Sequence, residues 1–101
     1  MYLVEILLPM NDNSGRPFGA EKYAAVRGHL MDRFGGLTAF TRSPAQGAVA
    51  MGKQIVLDDI VVFEVMTEEL DMQWWSIYRL HLETEFRQDD VVIRASAITL
   101  L

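Results

Sequence analysis

The chain has 101 residues, 50% of them hydrophobic, and this length fits one compact domain, so we expect a single domain over residues 1–101. Its formal net charge of −5 has the wrong sign for binding phosphate backbones or anionic lipid, which excludes nucleic acid and membranes from the expected partners. The sequence has no cysteine, which excludes disulfides and thiolate catalysis and suits a cytoplasmic protein.

The N-terminal segment is predicted to form a strand over residues 2–8. It is rich in β-forming residues and ends at Pro9. Because Glu5 interrupts it and no basic residue precedes its apolar stretch, we do not interpret it as a signal peptide. The next stretch, "NDNSGRPFG" over residues 11–19, has the composition of a loop, and we expect it to be able to act as a lid.

A first helix is predicted to begin near Ala20. Apolar residues then recur at helical spacing, namely Tyr23, Val26, Leu30 and Phe34. Gly35 and Gly36 follow and end the helix, because glycine adopts the left-handed conformation at this position without a Cβ penalty.

Strand-forming segments occupy the middle of the chain. We predict a strand over residues 37–42, a loop over residues 43–47 and another strand over residues 59–66. Residues 48–57 lie between them as an ambiguous connection that can also extend a hairpin.

A second helix is predicted in the last third of the chain, with Thr67 or Asp71 as its N-cap and Arg87 in its last turn. Its apolar residues form one broad arc: Leu70, Trp74, Trp75, Ile77, Tyr78, Leu82 and Phe86. Residues 91–98 are rich in β-branched side chains and are predicted to close the chain as a strand.

These elements follow one another in the order β-α-β-β-α-β. Short right-handed crossovers fold this order into a ferredoxin-like α+β domain, with a four-stranded antiparallel sheet of order 4-1-3-2 and both helices on one face. Alternate side chains of each strand then divide between a helix-covered face and an open face.

The face assignment explains why charged residues interrupt apolar strands. The helix-facing positions are all apolar: Val4, Ile6, Leu8, Leu37, Ala39, Val61, Phe63, Val65, Val91, Ile93, Ala95 and Ala97. Four charged residues, Glu5, Arg42, Glu64 and Arg94, fall on the open face among large apolar residues. A patch of that kind exceeds what a soluble monomer usually exposes, so we expect the open face to be covered by a second copy of the chain or to line a pocket.

The whole element order resembles the dimeric α/β-barrel superfamily, in which two ferredoxin-like subunits pack their open sheet faces together. The stretches "RFGGLTAF" (residues 33–40) and "DDIVVFEVM" (residues 58–66) are also similar to small bacterial proteins to which no activity is attached. The superfamily includes cofactor-independent oxygenases, isomerases and haem enzymes, often with a ligand cavity between sheet and helices. None of their catalytic signatures matches this chain, so the resemblance implies a homodimer and a cavity without naming a reaction.

His81 and Glu85 are the first candidate site. They lie four residues apart on the apolar arc, beside Trp74 and Tyr78. The functional interpretation makes His81 a general acid or base that Glu85 orients, while Trp74 and Tyr78 contact the ligand. The alternative is a partly buried structural histidine that is hydrogen-bonded to a neighbouring acid.

The charged residues of the open face are the second candidate site. Arg42, Arg94, Glu5 and Glu64 could form a polar floor that orients an anionic or carbonyl-bearing ligand. The alternative is an ion network that determines the register of a dimer. A metal site would require His29 and His81 to converge from different helices, which we do not expect, and we expect no cofactor.

Two classes of function therefore remain after the sequence analysis. The first is a homodimer that binds a small organic molecule between sheet and helices, with cofactor-independent monooxygenase or isomerase chemistry as its enzymatic form. The second is a non-enzymatic interaction or regulatory module whose charged sheet face only builds the dimer. The RNA-recognition module has the same element order, but the acidic charge of this chain argues against it.

Overall fold

The fold is taken from a computed structural model, which describes the backbone of residues 1–36, 38–42, 48–51, 54–57 and 59–101 and the side chains of residues 1–36 and 59–101. Its elements in chain order are β1 (Tyr2–Pro9), α1 (Ala20–Phe34), β2 (Thr38–Arg42), β3 (Ala48–Met51), β4 (Gln54–Leu57), β5 (Ile60–Thr67), α2 (Met72–Glu85) and β6 (Val92–Ala97).

The strands whose side chains are described form a three-stranded antiparallel sheet in the order β5-β1-β6. β1 is the central strand, because it pairs with β5 along one edge and with β6 along the other. The backbone of β2 pairs with the second edge of β5, and β3 and β4 form a separate two-stranded sheet.

The predicted ferredoxin-like fold with a four-stranded sheet is wrong. Two further strands, β3 and β4, stand between β2 and β5, so the element order is not β-α-β-β-α-β. If β1, β5 and β6 are numbered 1, 2 and 3 along the chain, the three-stranded sheet has the order 2-1-3. Together with the two helices it belongs to an α+β fold. The error arose in residues 48–57, where two short apolar runs pair with each other and form a sheet of their own.

Both helices pack on one face of the three-stranded sheet. Alternate residues of β1 and β5 are buried against them, and so are the inward residues of the helices: Val4, Ile6, Leu8, Phe63, Val65, Val26, Leu30, Trp75, Tyr78, Leu82 and Phe86. The predicted helix-facing set is confirmed for β1, β5, Val91 and Ile93. Ala95 and Ala97 were placed in the same set but are exposed, and its positions at 37 and 39 lie outside the described side chains. Val62 lies between the helix-facing Val61 and Phe63, and the alternation of the strand therefore places it on the open face, yet it is fully buried.

The helix ends follow from local chemistry. Gly35 has φ 75° and its N–H donates to the Met31 carbonyl at 2.8 Å, which confirms the predicted glycine stop. Asp71 is the N-cap of α2, because its Oδ1 accepts from the Trp74 N–H at 3.0 Å. Arg87 was expected in the last turn of α2, but the helix ends at Glu85 and Arg87 lies beyond it with φ 52°.

The loop before α1 is tied to itself and to the end of α2. Asp12 Oδ1 accepts from the backbone N–H groups of Ser14 and Arg16, each at 2.9 Å. Asn13 Nδ2 donates to the Arg87 carbonyl at 3.2 Å. The role of this loop as a lid stays a prediction.

Neither α1 nor α2, the helices of the described part of the chain, is long and apolar enough to cross a bilayer.

Candidate functional site

A groove of about 570 Å³ runs between the two helices on the solvent-facing side of the molecule. Its lining residues come from both helices: His29, Asp32 and Arg33 from α1, and Trp74, Ile77, Tyr78 and His81 from α2. The predicted site residues Trp74, Tyr78 and His81 therefore share one surface. That surface lies between the helices, whereas the superfamily resemblance implied a cavity between the helices and the sheet.

Three rings of α2 form a continuous stack along one wall of the groove. The Trp74 and Tyr78 ring centroids are 4.9 Å apart with an interplanar angle of 20°. Tyr78 and His81 follow at 5.9 Å and 21°. The stack forms because residues three and four positions apart lie on the same face of a helix. We call Trp74, Tyr78 and His81 the ring stack.

The two histidines of the described chain lie side by side at the groove. The ring centroids of His29 and His81 are 5.7 Å apart, although we expected the two residues to stay apart on different helices. That expectation was wrong because α1 and α2 are neighbours across the groove. Two imidazoles alone do not complete a metal site, and the described residues contain no group of three or more potential ligands.

Tyr78 joins the ring stack to the opposite helix. Its hydroxyl lies 3.3 Å from His29 Nδ1. Burial raises the pKa of Tyr78 to about 12, so its hydroxyl keeps its proton at neutral pH. A protonated hydroxyl can donate to Nδ1, and in that tautomer His29 carries its own proton on Nε2.

Arg33 of α1 lines the groove and contacts α2. Its guanidinium lies 4.9 Å from the centroid of the Trp74 ring, which is the geometry of a cation–π contact. Its Nη2 also lies 3.2 Å from Asp71 Oδ2. Since Asp71 caps α2, these contacts hold the start of α2 against the end of α1.

Glu85 does not orient His81 in this structure. Its Oε2 lies 3.4 Å from Lys22 Nζ, and its backbone carbonyl accepts from the same Nζ at 2.8 Å. The ring contacts of His81 are with Tyr78 and His29. A second groove of about 330 Å³ nevertheless contains both His81 and Glu85, and it shares His29 and His81 with the first.

The charged residues of the open sheet face form a separate cluster. Glu5 lies opposite Arg94 on one side and opposite Glu64 on the other. Arg94 Nε donates to Glu5 Oε1 at 3.1 Å. The backbone of Arg42 pairs with Ile60, four residues away from Glu64, and its side chain lies outside the described part. The sheet separates this cluster from the ring stack, so the predicted site residues divide between two surfaces.

Sequence reasoning missed the α1 side of the groove. His29, Asp32 and Arg33 have the spacing i, i+3, i+4, which places them on one face of α1. That spacing could have indicated a shared surface, but it is informative only when α2 is known to pack beside that face of α1.

No protein-family model matches this chain, and no curated protein sequence matches it.

Proposed function

We propose that this protein binds a small planar organic molecule in the groove between α1 and α2, and that it does so in the cytoplasm. The observation that carries the proposal is the ring stack, which presents aromatic surface in a groove of about 570 Å³. Sites for small molecules generally occupy about 300–1,000 Å³ and combine apolar walls with a few convergent polar groups.

The lining residues favour a flat molecule with a carbonyl or carboxylate. Trp74 and the exposed Ile77 supply apolar contact area, and Ile77 is 62% exposed although isoleucine is usually buried. The imidazole of His81 and the guanidinium of Arg33 supply hydrogen-bond donors at the edge of the groove. A molecule of this class would cover the apolar side chains and satisfy the donors together.

The enzymatic form of this proposal assigns acid–base chemistry to His81. A neutral imidazole can take a proton from a carbon next to a carbonyl and return it elsewhere, which is isomerase chemistry without a cofactor. Deprotonation of the same kind of carbon also begins cofactor-independent oxygenation, in which molecular oxygen, as a second substrate, oxidises the carbanion. Arg33 would stabilise the negative charge on the carbonyl oxygen.

Binding can be tested with 8-anilinonaphthalene-1-sulfonate, a planar aromatic anion whose fluorescence rises in apolar sites. We expect Trp74→Ala to weaken binding at least tenfold, because it removes the largest ring of the groove. Gln73→Ala is the matched control, since Gln73 is an exposed residue of the same helix that does not line the groove. Equal affinities for the two variants would contradict the proposal.

A second candidate function is an interaction module that forms a homodimer through the open sheet face. It is favoured by Met66 and Val92, which are 55% and 47% exposed beside the Glu5–Arg94 pair. The test is the mass in solution by light scattering: if the open face builds the dimer, Met66→Lys should convert it into a monomer. A dimer that persists in this variant would rule out that face.

A further inference from the structure

β6 is an uncapped edge of the sheet. Among the described strands it pairs with β1 alone, so none of them covers its second edge. Its sequence, "VIRASA", contains no proline or lysine to protect the edge from pairing, and its one charged side chain, Arg94, is paired with Glu5 of the neighbouring strand. Ala95, Ser96 and Ala97 are exposed. The strand therefore offers backbone hydrogen-bonding groups that are accessible to another chain.

The register shows which of these groups face outward. The Ile98 N–H donates to the Met1 carbonyl at 3.0 Å, and residues 1 and 98 are opposite each other in the β1–β6 register. Because hydrogen-bonded pairs alternate along antiparallel strands, Ser96 and Arg94 also direct their backbone groups toward β1. The N–H and carbonyl groups of Ile93, Ala95 and Ala97 therefore point away from the sheet.

We propose that a second copy of this chain adds to this edge, with its β6 antiparallel to the first and a twofold axis at Ala95. The two sheets then become one continuous sheet across the dimer. The proposal concerns a different surface from the open sheet face, and it does not depend on the proposed ligand.

The number of hydrogen bonds selects this register. An axis at Ala95, the middle one of the three outward residues, pairs all three with outward residues of the second copy, since residue 93 meets residue 97 and Ala95 meets itself, and each such pair exchanges two hydrogen bonds. It also places Arg94 opposite Ser96. An axis at Arg94 would set two arginines directly opposite each other, which is unfavourable. The charge of Arg94 is already paired with Glu5 on the open face.

The surface beside the edge also fits a protein partner. A cavity of about 320 Å³ lies between α2 and β6, next to Ala95. Its apolar lining includes Leu70, Met72 and Ile93, and Met72 is 68% exposed. A second copy would bring its own α2 to the same side of the continuous sheet and cover these side chains.

The first test is the mass in solution by light scattering at several concentrations. The wild type should be a dimer, and Ala95→Pro should weaken dimerisation at least tenfold, because it removes the central outward N–H. The variant should still fold, since proline is tolerated in an edge strand where the N–H faces solvent. Met66→Lys should leave this dimer intact. A monomeric wild type, or a dimer unchanged by Ala95→Pro, would overturn the proposal.

Amide hydrogen exchange provides a second readout that needs no variant. In the concentrated wild type, the amides of Ile93, Ala95 and Ala97 should be protected, and dilution below the dimerisation constant should remove that protection. The amides of Arg94 and Ser96 are the internal control, because they face β1 and should stay protected at every concentration. Unprotected amides at positions 93, 95 and 97 in the concentrated protein would refute the edge pairing. Because this measurement uses the wild type, it decides the question even if Ala95→Pro fails to fold.

Discussion

Replacing Glu64 by glutamine should stabilise the protein. Glu64 lies directly opposite Glu5 on the neighbouring strand, so two carboxylates face each other on the open sheet face. Since Glu5 directs its backbone groups toward β6, its pair with Glu64 is of the non-hydrogen-bonded type, in which the side chains come closest. Arg94 bonds to Glu5, and among the described residues no hydrogen bond or ion pair engages the Glu64 carboxylate.

The size of the effect follows from the distance and the exposure. Two unit charges about 5 Å apart repel by roughly 0.8 kcal/mol in water and roughly 3 kcal/mol at an effective dielectric constant of 20. The Glu5 side chain is 18% exposed, but Arg94 beside it offsets part of the repulsion. Like charges directly opposite in a sheet generally cost about 0.2–1 kcal/mol. We therefore expect Glu64→Gln to raise the free energy of unfolding by about 0.5 kcal/mol.

The assay is urea unfolding of the wild type, Glu64→Gln, Glu5→Gln and the double variant. This double-mutant cycle isolates the interaction between the two carboxylates from the loss of the Glu5–Arg94 pair. The coupling should be unfavourable at low ionic strength and smaller in 1 M salt, where the screening length is about 3 Å. Glu68→Gln serves as the control for the same change at an exposed position. A coupling of zero, or a favourable one, at low salt would refute the register-based reasoning.

Three further predictions test the helix pair. Burial raises the pKa of Tyr78 to about 12, so the native state keeps a proton that the unfolded state loses above about pH 10. The free energy of unfolding should therefore fall between pH 10 and 12, and Tyr78→Phe should flatten that fall. Identical pH profiles for the wild type and the variant would contradict this. Asp71→Ala should cost about 1 kcal/mol in urea unfolding through the lost cap, whereas Asp71→Asn should retain most of it; equal losses would argue against capping. Leu82→Ala should cost about 2–5 kcal/mol, whereas Leu80→Ala, at a 57% exposed position, should change little; similar values would contradict the assigned core.

The features that could be predicted from the sequence are local ones. The end of α1 at Gly35 and the alternation of Val4, Ile6 and Leu8 depend on residues adjacent in the chain, and the structure confirms both. The sequence left two candidates for the N-cap of α2, Thr67 and Asp71. Asp71 is the cap, because its side chain accepts a hydrogen bond from the Trp74 N–H.

The fold class and the groove were not predictable in the same way. Residues 48–57 contain apolar runs too short for periodicity to distinguish a connection from a paired strand, and their pairing with each other makes the ferredoxin-like assignment wrong. The position of the groove depends on which faces of two helices meet. His29 and His81 are 52 positions apart, so no local pattern brings their rings together.

The sequence by itself determined the alternation that buries Val4, Ile6 and Leu8, the end of α1 at Gly35, and that charged residues share the open face of the sheet. It did so because hydrophobic periodicity and capping act over a few residues. Only the tertiary structure decided that Glu5 faces Glu64, that Glu85 pairs with Lys22 instead of His81, and that Ala95 points its N–H outward. Those facts depend on strand register and helix packing, which are determined by contacts between distant parts of the chain.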